Sequence, residues 1–65
     1  MNKETFYRLL DIYIETNNIL RRGQAAFNLL YSIKPKETNK YRNTKYDPFY
    51  DDNKIEIFVN KILKE

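Results

Sequence analysis

Eleven consecutive residues, Arg42-Asn43-Thr44-Lys45-Tyr46-Asp47-Pro48-Phe49-Tyr50-Asp51-Asp52, constrain this chain more than any other segment. They hold a helix stop, a rigid turn, two aromatic side chains and a helix start in unbroken succession. Asn43 stands where a left-handed residue would end a preceding helix, and Asn tolerates that conformation best after Gly. Pro48 pushes Asp47 out of the α region, and the Asp47 carboxylate is placed to accept the amide two residues on. Thr44 is placed to bond local backbone. Phe49 and Tyr50 are expected to turn aromatic mass inward, stapling onto the next helix near Ile55. Asp51 or Asp52 is the N-cap of that helix. One helix must end before this run and another begin after it, with a docked corner between.

The rest of the organised sequence is amphipathic helix. Over residues 3–16, Phe6, Leu9, Leu10, Tyr13 and Ile14 recur at helical spacing, with charged residues mostly opposite. Asn2 is the expected N-cap, Glu4 and Arg8 form a favourable i,i+4 pair, and Asn17-Asn18 is a left-handed stop. Residues 19–23 connect to a second helix, from 23 or 24 to 32, striped by Ala26, Phe27, Leu30 and Ile33. Ala25 and Ala26 are small enough to let another helix approach closely. Pro35 suits the first position of a short polar helix reaching about residue 42. The last helix, about residues 52–64, carries Ile55, Phe58, Val59 and Ile62 at i, i+3, i+4 and i+7. The spacing therefore predicts an all-α fold. It is a small compact bundle of three main helices plus one short helix before the Asp-Pro turn, in a single domain over residues 1–65. Phe6, Leu9, Leu10, Tyr13, Phe27, Leu30, Ile55, Phe58, Val59 and Ile62 form the expected core, closed at one end by Phe49 and Tyr50.

At 65 residues the stability margin is thin, because a domain near this size buries only about 60% of its unfolded surface. Six Tyr and four Phe compensate, since each buries roughly 150–250 Å². The chain has no Cys and no His. Disulfides and thiolate metal sites are excluded, and so are the usual neutral-pH general base and the commonest zinc ligand. No Gly-rich phosphate loop or nucleophile motif is present. Asp47, Asp51 and Asp52 lack the Gly-punctuated loop of a cation site, and capping explains them better. The expectation is a protein with no enzymatic activity, no catalytic residues, no cofactor and no metal. No apolar run reaches the roughly 20 residues of a membrane span, and the charged N-terminus does not read as a signal peptide. A cytoplasmic protein with no membrane association is expected.

Three binding readings remain open. The first is a non-catalytic protein-interaction module, with Arg21, Arg22, Arg42, Tyr46, Asp47 and Tyr50 as candidate partner-binding residues, because Tyr and Arg are the usual interface hot spots. In it, Arg21 or Arg42 pairs with Asp47. The second is a nucleic-acid-binding helical domain, in which residues 3–33 mimic a helix-turn-helix with Arg21-Arg22 at the connector. The absence of Lys or Arg over residues 24–32 and the net charge of only +3 weigh against it. The third is binding of a small anionic ligand such as a nucleotide, with Arg21, Arg42 and tyrosines lining the pocket. A homodimer fits the generous apolar supply.

The segment Arg21-Arg22-Gly23-Gln24-Ala25-Ala26-Phe27-Asn28-Leu29-Leu30, then Pro35, then the run from Arg42 to Asp52, resembles a widespread family of short uncharacterised bacterial and phage proteins. Their pattern is W-R-x-G-Q-A-x-F-N-x-L, a Pro, then R-G-T-x-x-D-P-F-Y-x-D. The likeness covers residues 20–52 well and the last helix loosely. Leu20 replaces the family's Trp, and Asn43 replaces its Gly, which is consistent with a left-handed position there. The resemblance implies a bacterial or phage setting. With the small size and absent catalytic groups, it leads to the expectation of a phage- or prophage-type regulator or an inhibitor of a host protein, including a host-defence system.

Overall fold

The computed structural model describes residues 1–64. Helix α1 spans Lys3–Thr16, α2 Arg22–Ile33, α3 Pro35–Lys40 and α4 Ile55–Ile62, with a 3-10 turn at Asp52–Lys54 immediately before α4. No strand occurs among the described residues, and the fold is the expected small all-α bundle. None of its helices is long and apolar enough to cross a membrane.

Helix α2 is the central element and touches α1, α3, α4 and the 3-10 turn. Its sequence explains this position. Ala25 and Ala26 are fully buried and allow close approach, while Phe27 and Leu30 fill the space between the other helices. Phe6 and Leu10 from α1, and Ile55, Phe58, Val59, Ile62 and Leu63 from the C-terminal segment, complete one apolar cluster. Leu9 differs from expectation, because it is exposed. The buried stripe of α1 runs through Phe6, Tyr7, Leu10, Tyr13 and Ile14. Leu9 lies about 100° round the helix from Leu10.

Helix ends follow local chemistry, with two corrections. Asn2 Oδ1 accepts the Thr5 amide at 2.8 Å, as expected of an N-cap. Asn17 ends α1 without a left-handed turn, at φ −128°. Its backbone and side-chain amides both donate to the Tyr13 carbonyl, at 2.9 and 3.0 Å, and close the last turn. The second correction concerns Asp52. Asp51 caps the 3-10 turn by accepting the Asn53 amide at 3.0 Å. Asp52 reaches across the molecule, where its Oδ1 accepts the Gly23 amide at 2.8 Å. A carboxylate distant in sequence thus caps the N-terminus of α2, where the exposed amides and the helix dipole favour negative charge. The Gln24 side chain accepts the Arg21 amide at 3.1 Å and satisfies another donor at that end.

Gly23 is required by this contact. A Cβ there would collide with the Pro48 carbonyl oxygen and would lie 2.9 Å from Asp52 Oδ1. The corner therefore rests directly on the backbone of α2.

Thr38 in α3 is fully buried, and its hydroxyl has no hydrogen-bond partner. An unpaired buried hydroxyl carries its desolvation cost in full. Thr38→Val keeps the shape and removes the polar atom. It should stabilise the protein by about 1 kcal/mol, raising Tm by about 4–8 °C in a domain of this size. A thermal melt showing a lower Tm would contradict this assignment.

Candidate functional site

Phe27 organises the site. It is buried in α2 and stacks on Phe58 at 5.7 Å, while Phe49 meets it edge-on at 5.8 Å. Tyr31, one turn further along α2, stacks beside it at 6.4 Å. The Arg42 guanidinium lies over both rings, 5.2 Å from the Phe27 centroid and 5.4 Å from that of Tyr31. At the other end, Arg21 donates to the Phe49 carbonyl at 2.9 Å and lies 5.7 Å from the Tyr50 ring centroid. Two arginines and four aromatic rings form one continuous surface. Between Arg42 and Tyr50 it encloses a hollow of about 260 Å³, with Phe27, Asn43, Asp47 and Phe49 as its other walls.

Consecutive turns shape the corner that carries this surface. The Thr44, Asp47 and Asp51 amides donate to the carbonyls of Tyr41, Thr44 and Pro48 respectively. Asn43 adopts φ 60°, the left-handed conformation expected of it. It does so beyond Tyr41, the residue that closes α3, so it shapes the turn rather than capping the helix directly. Thr44 Oγ donates to the Tyr41 carbonyl at 2.6 Å. Asp47 fixes both sides of the corner, its Oδ2 accepting the Asn43 amide at 2.7 Å and its Oδ1 the Phe49 amide at 2.9 Å.

Both Asp47 oxygens are thus committed to backbone. No ion pair with Arg21 or Arg42 forms among the described residues, contrary to the pairing expected from sequence; the ion pairs found are Arg8–Glu4 and Arg22–Asp11. Tyr50 also departs from expectation. Phe49 packs inward against Phe27, but Tyr50 is 79% exposed and stands on the rim of the hollow.

Four of the six candidate residues, Arg21, Arg42, Asp47 and Tyr50, meet in this place. Arg22 does not, because it pairs with Asp11 of α1 at 3.0 Å. Tyr46 faces the other side of the corner, where it packs edge-on against Tyr41 at 5.8 Å. From sequence, Phe27 is expected in the core and Tyr31 is not singled out, although their i,i+4 aromatic spacing is the signal that an arginine can lie across both.

A broader hollow of about 780 Å³ opens between α1, the start of α2 and the 3-10 turn, beside Tyr7, Arg22, Asp52 and Glu56. Burial, and then the Glu56 charge, push the Tyr7 phenol above its ordinary range against a smaller opposing effect of Arg22. Two of the polar groups of this hollow are held by the fold, Arg22 by Asp11 and Asp52 by Gly23. Among the described residues no group of three or more carboxylates gathers to hold a metal ion. Asp47, Asp51 and Asp52 each serve different backbone amides.

No family model, no curated protein and no solved structure matches this chain.

The left-handed turn gives a direct test. Gly adopts φ 60° freely, whereas an Ala side chain is strained there. Asn43→Gly should be at least as stable as the parent in urea denaturation, and Asn43→Ala should lose about 1 kcal/mol. Equal losses in both variants would show that the Asn43 side chain, rather than its backbone conformation, sets the turn.

Proposed function

We propose that the protein is a small non-catalytic interaction module that binds another protein over the hollow between Arg42 and Tyr50. The observation that carries this reading is the state of Arg42. Its guanidinium lies over the Phe27 and Tyr31 rings, and no carboxylate pairs with it among the described residues. Aromatic faces hold the cation in place while leaving its N–H edge available. An arginine ordered before binding loses less freedom on association than a mobile one. Tyr50 supports the same reading as a large, rigid amphipathic side chain left exposed beside a hollow of mixed aromatic and polar walls. The partner surface that fits presents a carboxylate to Arg42 and an apolar side chain to the hollow.

The short length, the absence of His and Cys and the resemblance in the Arg21–Asp52 region support a phage- or prophage-type regulator or inhibitor of a host protein. In this reading the partner is a host protein, and inhibition follows from occupying its surface.

The test is capture from a lysate of the native host by the immobilised protein, followed by measurement of affinity for the captured partner. Arg42→Ala and Tyr50→Ala change exposed side chains and should keep the parent circular dichroism spectrum. Each should weaken binding by about 2 kcal/mol, roughly thirtyfold. Undiminished binding by both variants, or no captured protein above background, would refute the reading.

A further inference from the structure

A second surface, sharing no lining residue with the Arg42–Tyr50 hollow, lies where α3 and the residues after it meet the C-terminal end of α4. Lys34, Lys40, Lys61 and Lys64 rim a hollow of about 300 Å³ beside Tyr41 and Ile62, with Glu37 as its single acid. A second hollow of about 430 Å³ adjoins Tyr41, bordered by Ile57, Asn60 and the same Lys61 and Lys64. Tyr41 belongs to both, so the two hollows flank one aromatic ring. Tyr46 stands edge-on to it at 5.8 Å, with the Lys61 and Lys45 ammonium groups 4.8 and 5.3 Å from its centroid. Lys40 lies 5.7 Å from the Tyr41 ring.

These five lysines form no ion pair among the described residues; the ion pairs, Arg8–Glu4 and Arg22–Asp11, lie on α1 and α2. Five lysines against the single acid Glu37 leave an excess of positive charge on this face among the described residues, which attracts a polyanion and gains from neutralisation by it. The residue types narrow the class. The basic residues bordering these hollows are lysines, compact point charges that bind phosphate oxygens without requiring a fixed fork geometry. The interleaved tyrosines are half-buried with lysine ammonium groups over their rings, and they offer a base a stacking surface once those lysines turn to the phosphates. Duplex readout requires an element seated in a groove and base-edge donors, whereas this surface is a pair of shallow hollows beside a six-residue helix.

We propose that this face binds single-stranded nucleic acid, with phosphates on the lysines and a base against Tyr41 or Tyr46. Sequence preference is weak, because stacking accepts every base and no base-edge donor array is present. The site is separate from the helix-turn-helix arrangement considered from sequence. There Arg22 is held by Asp11 and Arg21 by the Phe49 carbonyl. It is independent of the protein-binding reading of Arg42 and Tyr50, and either can fail without the other.

Fluorescence anisotropy with a labelled 12-nucleotide oligodeoxythymidine and an oligouridine of equal length tests the proposal. At low salt both should bind at micromolar protein, with log K falling against log salt at a slope of about −2, the value for three phosphate contacts on a single strand. Lys40→Ala combined with Lys61→Ala should weaken binding about tenfold and flatten that slope. Tyr46→Ala should weaken binding about tenfold at every salt concentration without changing the slope, and Tyr46→Phe should restore it. Arg8→Ala, which removes one positive charge far from this face, should bind as the parent does. Circular dichroism confirms that each variant is folded. The proposal is overturned by absent binding at low salt, by tighter binding to a duplex of the same sequence, or by equal binding of polyglutamate or heparin. Full affinity in Tyr46→Ala and in Tyr41→Leu would overturn it as well.

Discussion

The contact between the corner and the first turn of α2 holds the fold and its candidate binding surface in one arrangement. Gly23 lies at the second position of α2, where the helix supplies no acceptor for its amide. Asp52 supplies one from beyond the corner, and the Pro48 carbonyl packs where a side chain would otherwise stand. Beside it, Arg21 clasps the Phe49 carbonyl. These contacts seat residues 41–51, a segment without regular helix, against the central helix of the bundle. Once it is seated, Phe49 meets Phe27 and Arg42 lies across Phe27 and Tyr31. The ordering of the arginine therefore follows from a backbone-to-carboxylate bond at the far end of the corner.

Much of this was legible in the residues, and the failures share a cause. Periodicity located the helices and most of the core because burial and spacing are the same constraint in an amphipathic helix. Asp47 was legible too, since its bonds run to amides close in sequence. Asp51, one of the two N-caps expected there, caps the last helical segment, whereas the bond from Asp52 to α2 was not legible because an N-cap supplied by another element leaves no local signature. Leu9 and Tyr50 failed in the same way. Whether an apolar side chain at the margin of a stripe is covered depends on what the neighbouring element presents, and here both remain exposed. The buried hydroxyl of Thr38 lies on α3, whose residues after Pro35 are all polar or charged, so periodicity gives no reason to look inward there.

The two faces use the same residue classes to different ends. On one, arginines lie against aromatic rings and Arg42 borders a hollow with aromatic and polar walls, an arrangement suited to a protein surface. On the other, lysines surround a tyrosine pair beside shallow hollows, an arrangement suited to phosphates and bases. The corner contributes to both, placing Arg42 on one side and Lys45 and Tyr46 on the other. A protein this small presents two distinct surfaces because a single compact turn, rather than a second domain, separates them.

Native-state hydrogen exchange at the Gly23 amide tests the central contact most directly. Amides in the first turn of a helix ordinarily exchange rapidly, since they lack intrahelical partners. If Asp52 holds this amide beneath the Pro48 carbonyl, Gly23 should exchange only with global unfolding, as slowly as the Leu30 amide in the core, and Asp52→Ala should abolish that protection. Exchange at Gly23 as fast as at the exposed connector residue Ile19, in the unaltered protein, would contradict the account.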